Sequence, residues 1–265
     1  RWYERAHSAV AERQTAEWLA DLYQQSGQPA RARQAWETLA ASRGTSDVLH
    51  WWSLGKAEEA TGNWQPAANA YAQGLDVAAD RYELLMQLGR VQEYLDPAQS
   101  IAFYRQAMNE RPESIWPRLG LGHIAMSRGE LAEAQDWYTQ ALEIAPNDVN
   151  PHYYLGVLAF TQDDCTSAVA HLSDALTRLS DHSPSLFLLA QCAHRSGDLE
   201  QARSLLAAAI LAHPAPPATW AIELGDWYLE SNLAAEARAR YEEALAIEPD
   251  NADAQARLES LRTQD

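Results

Sequence analysis

The side chains of this chain that could carry out chemistry are scattered along it. Eight histidines lie between His7 and His213, and none has another His, a Cys or a carboxylate at a convincing ligand spacing. Two cysteines, Cys165 and Cys192, are too few for a disulfide framework or a multi-thiolate metal site. The H-E-x-x-H, G-x-S-x-G, Walker-type and G-x-G-x-x-G motifs do not occur. The sequence therefore predicts no catalytic residue, no cofactor and no metal ion, and an enzyme is the least favoured function class.

The segment Asp163-Asp164-Cys165 places two carboxylates beside a thiol. It could be a metal or nucleophile cluster, but polar residues are also needed where one helix ends and the next begins. We expect the second role, with these residues forming a turn and a helix cap. Cys165 and Cys192 occupy positions that are usually packed, which favours free buried thiols over a disulfide.

The charge balance excludes some classes of partner. The 265 residues include 37 acidic and 20 basic side chains, a net charge of −17, and the one lysine is Lys56. Binding to the backbone of a nucleic acid needs a basic stripe, and an anionic membrane surface would also repel this chain. The longest uncharged run, 204–222, contains three prolines, so no membrane insertion of this segment is expected. A hydrophobic content of 47% is typical of a folded protein.

The elements that position these side chains follow from an internal repeat. A small residue follows a leucine roughly every 34 residues, at Ala20, Gly55, Gly89, Gly122, Gly156, Ala190 and Gly225. Another small residue lies eleven or twelve positions later, and four positions beyond it is a bulky one: Trp36, Tyr71, Tyr104, Tyr138, Leu172, Leu206 and Tyr241. The pattern predicts helical hairpins in which the first small residue lets two helices approach and the bulky one fills the space beside the contact.

This repeat resembles the tetratricopeptide repeat (TPR), whose 34-residue signature is W-x₂-L-G-x₂-Y…A-x₃-F…P. The second repeat carries Trp51, Leu54 and Gly55, followed by Ala67 and Tyr71. The resemblance implies an all-α fold, a right-handed α-α superhelix (TPR solenoid) of seven helical hairpins plus a C-terminal capping helix. The expected hairpins are 13–46, 48–81, 82–113, 115–148, 149–182, 183–216 and 218–251.

The two ends are expected to differ from the repeats. Residues 1–12 carry an apolar stripe with no first helix before it, which predicts the second helix of a truncated upstream repeat or a linker helix. Residues 252–265 should form the capping helix and a tail, with Ala254, Leu258 and Leu261 on the covered side. We expect the chain to be part of a longer protein.

In TPR proteins the first helix of each hairpin lines a concave groove, and the resemblance implies the same arrangement here. The residues at these positions that could contact a partner are Trp52, Met86, Arg90, Tyr94, Trp116, Leu119, His123, Met126, Tyr153, Val157, Phe160, Phe187, Gln191, His194 and Arg195. Two interpretations are open: these side chains bind a partner in the groove, or they pack on one another across a tight superhelix. The basic residues at such positions are separated by whole repeats, so a clamp for a C-terminal carboxylate is not expected.

The predicted function is a non-catalytic scaffold that binds a protein or peptide segment in the concave groove. If the acidic surface contributes to binding, that segment carries basic flanks. The alternative is a soluble C-terminal TPR tail of a bacterial membrane-bound cell-surface polysaccharide polymerase or ligase of the O-antigen type. This alternative is an analogy at the level of the family. The scaffold would be cytoplasmic, and the tail would be extracytoplasmic.

Overall fold

A computed structural model describes residues 18–20, 22–23, 26–42 and 48–262, and the regular structure in these ranges is entirely helical. The helices are α1 (Pro29–Ser42), α2 (Val48–Ala60), α3 (Trp64–Val77), α4 (Tyr82–Leu95), α5 (Pro97–Glu110), α6 (Trp116–Ser127), α7 (Leu131–Ile144), α8 (Val149–Thr161), α9 (Cys165–Arg178), α10 (Ser183–Arg195), α11 (Leu199–Ala212), α12 (Ala218–Glu230), α13 (Ala234–Ile247) and α14 (Ala252–Arg262). The predicted helix at 1–12 lies outside the described residues.

The helices form two compact units, 1–137 and 138–265, whose boundary falls within α7. In the first unit the successive helices pack in order, from α1 on α2 to α5 on α6, and α4 also contacts α6. In the second unit the same holds from α8 to α14, with α8 also in contact with α10. The predicted all-α TPR fold is confirmed, while the repeat boundaries stay a prediction.

The small residue after each leucine makes room for the bulky residue of the partner helix. A Cβ atom on Gly55 would lie 2.4 Å from Cε1 of Tyr71, and one on Gly225 would lie 2.5 Å from Cε1 of Tyr241. Both tyrosine side chains are fully buried. The predicted packing is therefore confirmed in these hairpins, because no larger residue fits between the two helices.

The third hairpin accommodates a turn that is one residue short. Asp96 caps α5 by accepting hydrogen bonds from the backbone N–H groups of Ala98 and Gln99, and Pro97 is the first residue of the helix. Ser100 stands where the other hairpins have alanine, and its buried hydroxyl donates to the Gly89 carbonyl at 2.6 Å. This bond ties the two helices together across the shortened turn.

Asp163 and Asp164 have the structural role that the sequence predicts. Asp163 adopts φ +62°, the left-handed conformation that Gly62 and Gly197 adopt at the matching turns. The Asp164 carboxylate accepts a hydrogen bond from the Ser167 N–H at 3.0 Å and caps α9. The expectation of a turn and a helix cap is confirmed.

The last helix covers the end of the second unit, as predicted. Ala254 and Leu261 of α14 are buried in one cluster with Tyr241, and Leu258 packs against it. Arg257 donates to the Asp226 carboxylate of α12 at 2.7 Å. Residues 263–265 of the predicted tail lie outside the described residues.

Candidate functional site

In the first unit, side chains join the first helices of successive hairpins. Arg90 of α4 forms an ion pair with Glu59 of α2. His123 of α6 contacts Glu93 of α4, with Nδ1 2.9 Å from the carboxylate oxygen. These two contacts join α2, α4 and α6, and we call the predicted partner-binding residues of these helices the first-unit face. Its members are Trp52, Met86, Arg90, Tyr94, Trp116, His123 and Met126.

Two aromatic side chains of the first-unit face are open to solvent. Tyr94 is 65% exposed and Trp116 is 51% exposed. Trp64, the first residue of α3, stacks on Tyr94 with ring centroids 4.3 Å apart and an angle of 10° between the planes. The sequence pattern did not single out Trp64, because the positions considered lie on the first helix of each hairpin. An exposed aromatic ring held by a stacked neighbour, as Tyr94 is, is suited to anchor a partner.

Other predicted members of this surface pack against the core. Trp52 lies edge-on to Tyr71 with ring centroids 6.0 Å apart, and Met86 packs on two buried clusters. Met126 is half-buried. Leu119 is only 4% exposed, so it belongs to the core and offers no surface to a ligand. In the first unit, part of the predicted set packs inward and part stays open.

The charges of the first-unit face are largely balanced between neighbouring helices. The Tyr71 hydroxyl donates to Glu59 at 2.7 Å, and burial, followed by that carboxylate, raises the pKa of the phenol. Burial alone would lower the pKa of Arg90, but the hydrogen bond and charge of Glu59 outweigh it and the pKa is raised. The hydrogen bond with Glu93 raises the pKa of His123. Because Arg90 and His123 already have carboxylate partners, they are poorly suited to grip an acidic ligand.

The second-unit face consists of the predicted residues of α8 and α10: Tyr153, Val157, Phe160, Phe187, Gln191, His194 and Arg195. Three of its rings are covered by side chains from the first helix of the following hairpin. Phe187 stacks on Trp220 with centroids 4.7 Å apart, and His194 stacks on Trp227 at 4.6 Å, both nearly parallel. The Arg195 guanidinium lies 4.0 Å from the centre of the Phe160 ring.

Polar groups of the second-unit face are paired as well. Gln191 donates to Glu223 at 2.7 Å, and Arg195 donates to Asp163 at 2.7 Å. His194 lies 2.9 Å from a carboxylate oxygen of Glu230. Val157 is half-buried, and burial raises the pKa of Tyr153, whose ring meets His182 edge-on at 5.0 Å. These contacts favour inward packing here, whereas the first-unit face keeps open aromatic rings.

The described part of the chain holds neither a metal-binding cluster nor a membrane-spanning helix. No three His, Cys, Asp or Glu side chains in it are placed so that they could hold a metal ion together. None of its helices combines the length and the apolar character that crossing a bilayer requires.

Family models match most of the sequence. Two models described as "Tetratricopeptide repeat" match residues 19–93 and 159–223, and one described as "TPR repeat" matches residues 122–163. No curated protein matches the sequence.

Several solved structures resemble the chain. A chain of the APC/C heterotetramer Cut9–Hcn1 is 17% identical with a TM-score of 0.67 over 91% of this chain and 48% of its own length. YrrB, a TPR protein with an unusual peptide-binding site, is 19% identical with a TM-score of 0.50, over 71% of this chain and 97% of its own. IFIT1 with Gppp-AAAA is 13% identical with a TM-score of 0.65, over 90% of this chain and 59% of its own length. The present chain spans about half the length of the Cut9–Hcn1 chain that it matches. At these identities the likeness establishes the fold alone.

Proposed function

Because the chain belongs to the tetratricopeptide repeat family, we propose that it is a non-catalytic protein-interaction scaffold that binds a protein or peptide segment on the first-unit face. The observation that carries the proposal is the pair of exposed rings, Tyr94 and Trp116, on the first helices of adjacent hairpins. Large aromatic side chains left open beside a packed surface commonly anchor protein interfaces. The helices that carry the two rings, α4 and α6, are in contact.

The charge of the chain defines the chemistry of the partner. With a net charge of −17, the chain attracts a segment that carries Lys or Arg beside its apolar anchor residues. Asp80 and Glu83, at the start of α4, are exposed but already form ion pairs with Arg111, so the preference for a basic segment rests on the net charge of the chain. We therefore expect a basic, partly apolar peptide rather than an acidic one, and weaker binding as the salt concentration rises.

Related structures illustrate the range of partners that this fold accepts. Cut9–Hcn1 is a protein complex and YrrB has a peptide-binding site, and both agree with the proposal. IFIT1 was solved with Gppp-AAAA, so the fold itself is compatible with an RNA ligand. We propose a protein or peptide partner because the acidic composition opposes contacts with phosphates.

A peptide-display screen tests this function. A random peptide library is selected on the wild-type chain, and the enriched peptides are measured by calorimetry against wild type, Trp116→Ala and Leu211→Ala. Leu211 is the matched control because it is 88% exposed but lies on α11, outside the first-unit face. We expect peptides rich in Lys, Arg and apolar residues, a loss of affinity of roughly 30-fold in Trp116→Ala and none in Leu211→Ala.

Unchanged circular dichroism and thermal melting of both variants are needed for that comparison. Selected peptides that bind Trp116→Ala as tightly as wild type would show that the exposed rings do not form the binding site. Acidic peptides would contradict the expected charge of the partner.

The polysaccharide polymerase or ligase tail remains a second prediction from the sequence. It is tested by the reading frame upstream of Arg1. Several long apolar stretches there would support a membrane-bound enzyme, and further repeats would support a free scaffold.

A further inference from the structure

A surface cavity of about 550 Å³ lies in the second unit. Its walls come from α9, α10 and α11, and Val169, Leu176 and Leu205 supply much of the apolar lining. Cys165 and Cys192 both line it. Neither cysteine is used by the proposed interaction surface.

The two thiols are neighbours, although 26 residues separate them in the sequence. Cys192 is buried in an apolar cluster of the second unit, and Cys165 packs against the same cluster. Cys165 also contributes to the raised pKa of the Cys192 thiol, as a close neighbour would. Both are free cysteines. Two thiols in one cluster and on one cavity wall can form a disulfide when rotation of their side chains brings the sulfurs to the S–S bond length of about 2 Å.

We propose that Cys165 and Cys192 form a dithiol site that reacts with small-molecule disulfides and closes to an intramolecular disulfide between α9 and α10. The cavity gives the reagent access to the pair, because both cysteines are part of its wall. The cross-link joins the hairpin α8–α9 to the hairpin α10–α11 and fixes the two hairpins against each other.

The reaction balances in two exchange steps. The Cys165 thiolate attacks one sulfur of a disulfide R–S–S–R, forms a mixed disulfide and releases one R–S group, which takes up the proton that Cys165 lost. Cys192 then attacks the Cys165 sulfur, and the second R–S group leaves with the proton of Cys192. Two protein thiols and one small disulfide thus give one protein disulfide and two small thiols.

The exposure of the two thiols determines which cysteine reacts first. Cys165 is half-buried and borders the cavity, so the reagent can reach it, whereas Cys192 is only 3% exposed. Burial, followed by the neighbouring Cys165, raises the pKa of the Cys192 thiol to about 12. Cys192 therefore acts second, in an intramolecular step where proximity compensates for the scarcity of its thiolate.

Oxidised glutathione is the probe for this site. Reduced wild type, Cys165→Ala and Cys192→Ala are incubated with it and analysed by intact mass and non-reducing peptide mapping. Wild type should lose two hydrogens and yield a cross-linked peptide pair containing Cys165 and Cys192. Cys192→Ala should stop at one glutathione adduct, and Cys165→Ala should react far more slowly.

A thermal measurement on wild type keeps the test decisive even if a variant fails to fold. Closing a loop of roughly 30 residues should raise the melting temperature by about 5–10 °C, and a reductant should reverse the rise. The proposal is overturned if wild type keeps both thiols, accumulates a stable adduct on Cys165, or forms only intermolecular disulfides. None of these outcomes depends on whether the first-unit face binds a peptide.

Discussion

The substitution Gly225→Ala tests the packing rule on which the whole repeat rests. Gly225 lies in α12, and a Cβ atom there would be 2.5 Å from Cε1 and 2.8 Å from Cδ1 of Tyr241. Real Cβ atoms do not approach other atoms this closely, so either the ring or the helix must move. The ring has little freedom, because it is fully buried and its hydroxyl donates to Asp226 at 2.7 Å.

Two effects of opposite sign decide the outcome. Alanine is favoured over glycine inside a helix by about 1 kcal/mol. Overpacking a filled core destabilises by about 1–3 kcal/mol, and a rigid aromatic ring places this site toward the upper end. We therefore expect Gly225→Ala to lower the free energy of unfolding by about 1–2 kcal/mol.

Gly156→Ala is the matched control within the same unit. The partner of Gly156 is Leu172, whose Cγ would lie 2.6 Å from the new Cβ. The next hairpin already pairs Ala190 with Leu206, and both are fully buried, so an alanine can pack opposite a leucine. A leucine can change rotamer where a buried ring cannot, and the control should change the free energy of unfolding by less than about 1 kcal/mol.

The assay is urea unfolding followed by circular dichroism, with the midpoint and the slope both compared with wild type. The slope matters because repeat arrays can lose two-state behaviour. The double variant Gly225→Ala/Tyr241→Leu recreates the pair of the neighbouring hairpin and should be more stable than the sum of the single changes predicts. If Gly225→Ala is as stable as wild type, close helix approach at this residue does not determine the packing.

Three further outcomes follow from single contacts. Ser100→Ala should destabilise the chain by about 1 kcal/mol in urea unfolding, because the buried Gly89 carbonyl loses its hydroxyl donor; an unchanged midpoint would contradict this. Asp163→Gly should raise the melting temperature slightly, since glycine adopts the positive φ of this turn without strain; a lower melting temperature would show that the side-chain contacts of Asp163 matter more. His123 has a pKa above its ordinary value, so its pairing with Glu93 stabilises the fold below the unfolded pKa of about 6.5 and is lost as the pH rises through the folded pKa. In an NMR titration Glu93→Gln should lower the pKa of His123, and no change would rule out this carboxylate as the cause.

The candidate site was only partly predictable. The repeat pattern assigned residues to the first helices, and the structure places Trp116 and Tyr94 there with exposed rings. The repeat pattern did not predict which of the other candidate residues are exposed, because exposure depends on the side chains that the neighbouring hairpin packs against them. Leu119 is buried, and Phe187 is covered by Trp220.

Sequence alone determined the local geometry of this protein. Glycine next to a buried tyrosine, or an aspartate that caps a helix, follows from steric and hydrogen-bonding rules that act within one hairpin. Tertiary structure decided which side chains of different hairpins meet, as for Trp64 with Tyr94 and Cys165 with Cys192. Those pairs depend on the angle and offset at which hairpins stack, and a pattern with one period per hairpin carries no information on either.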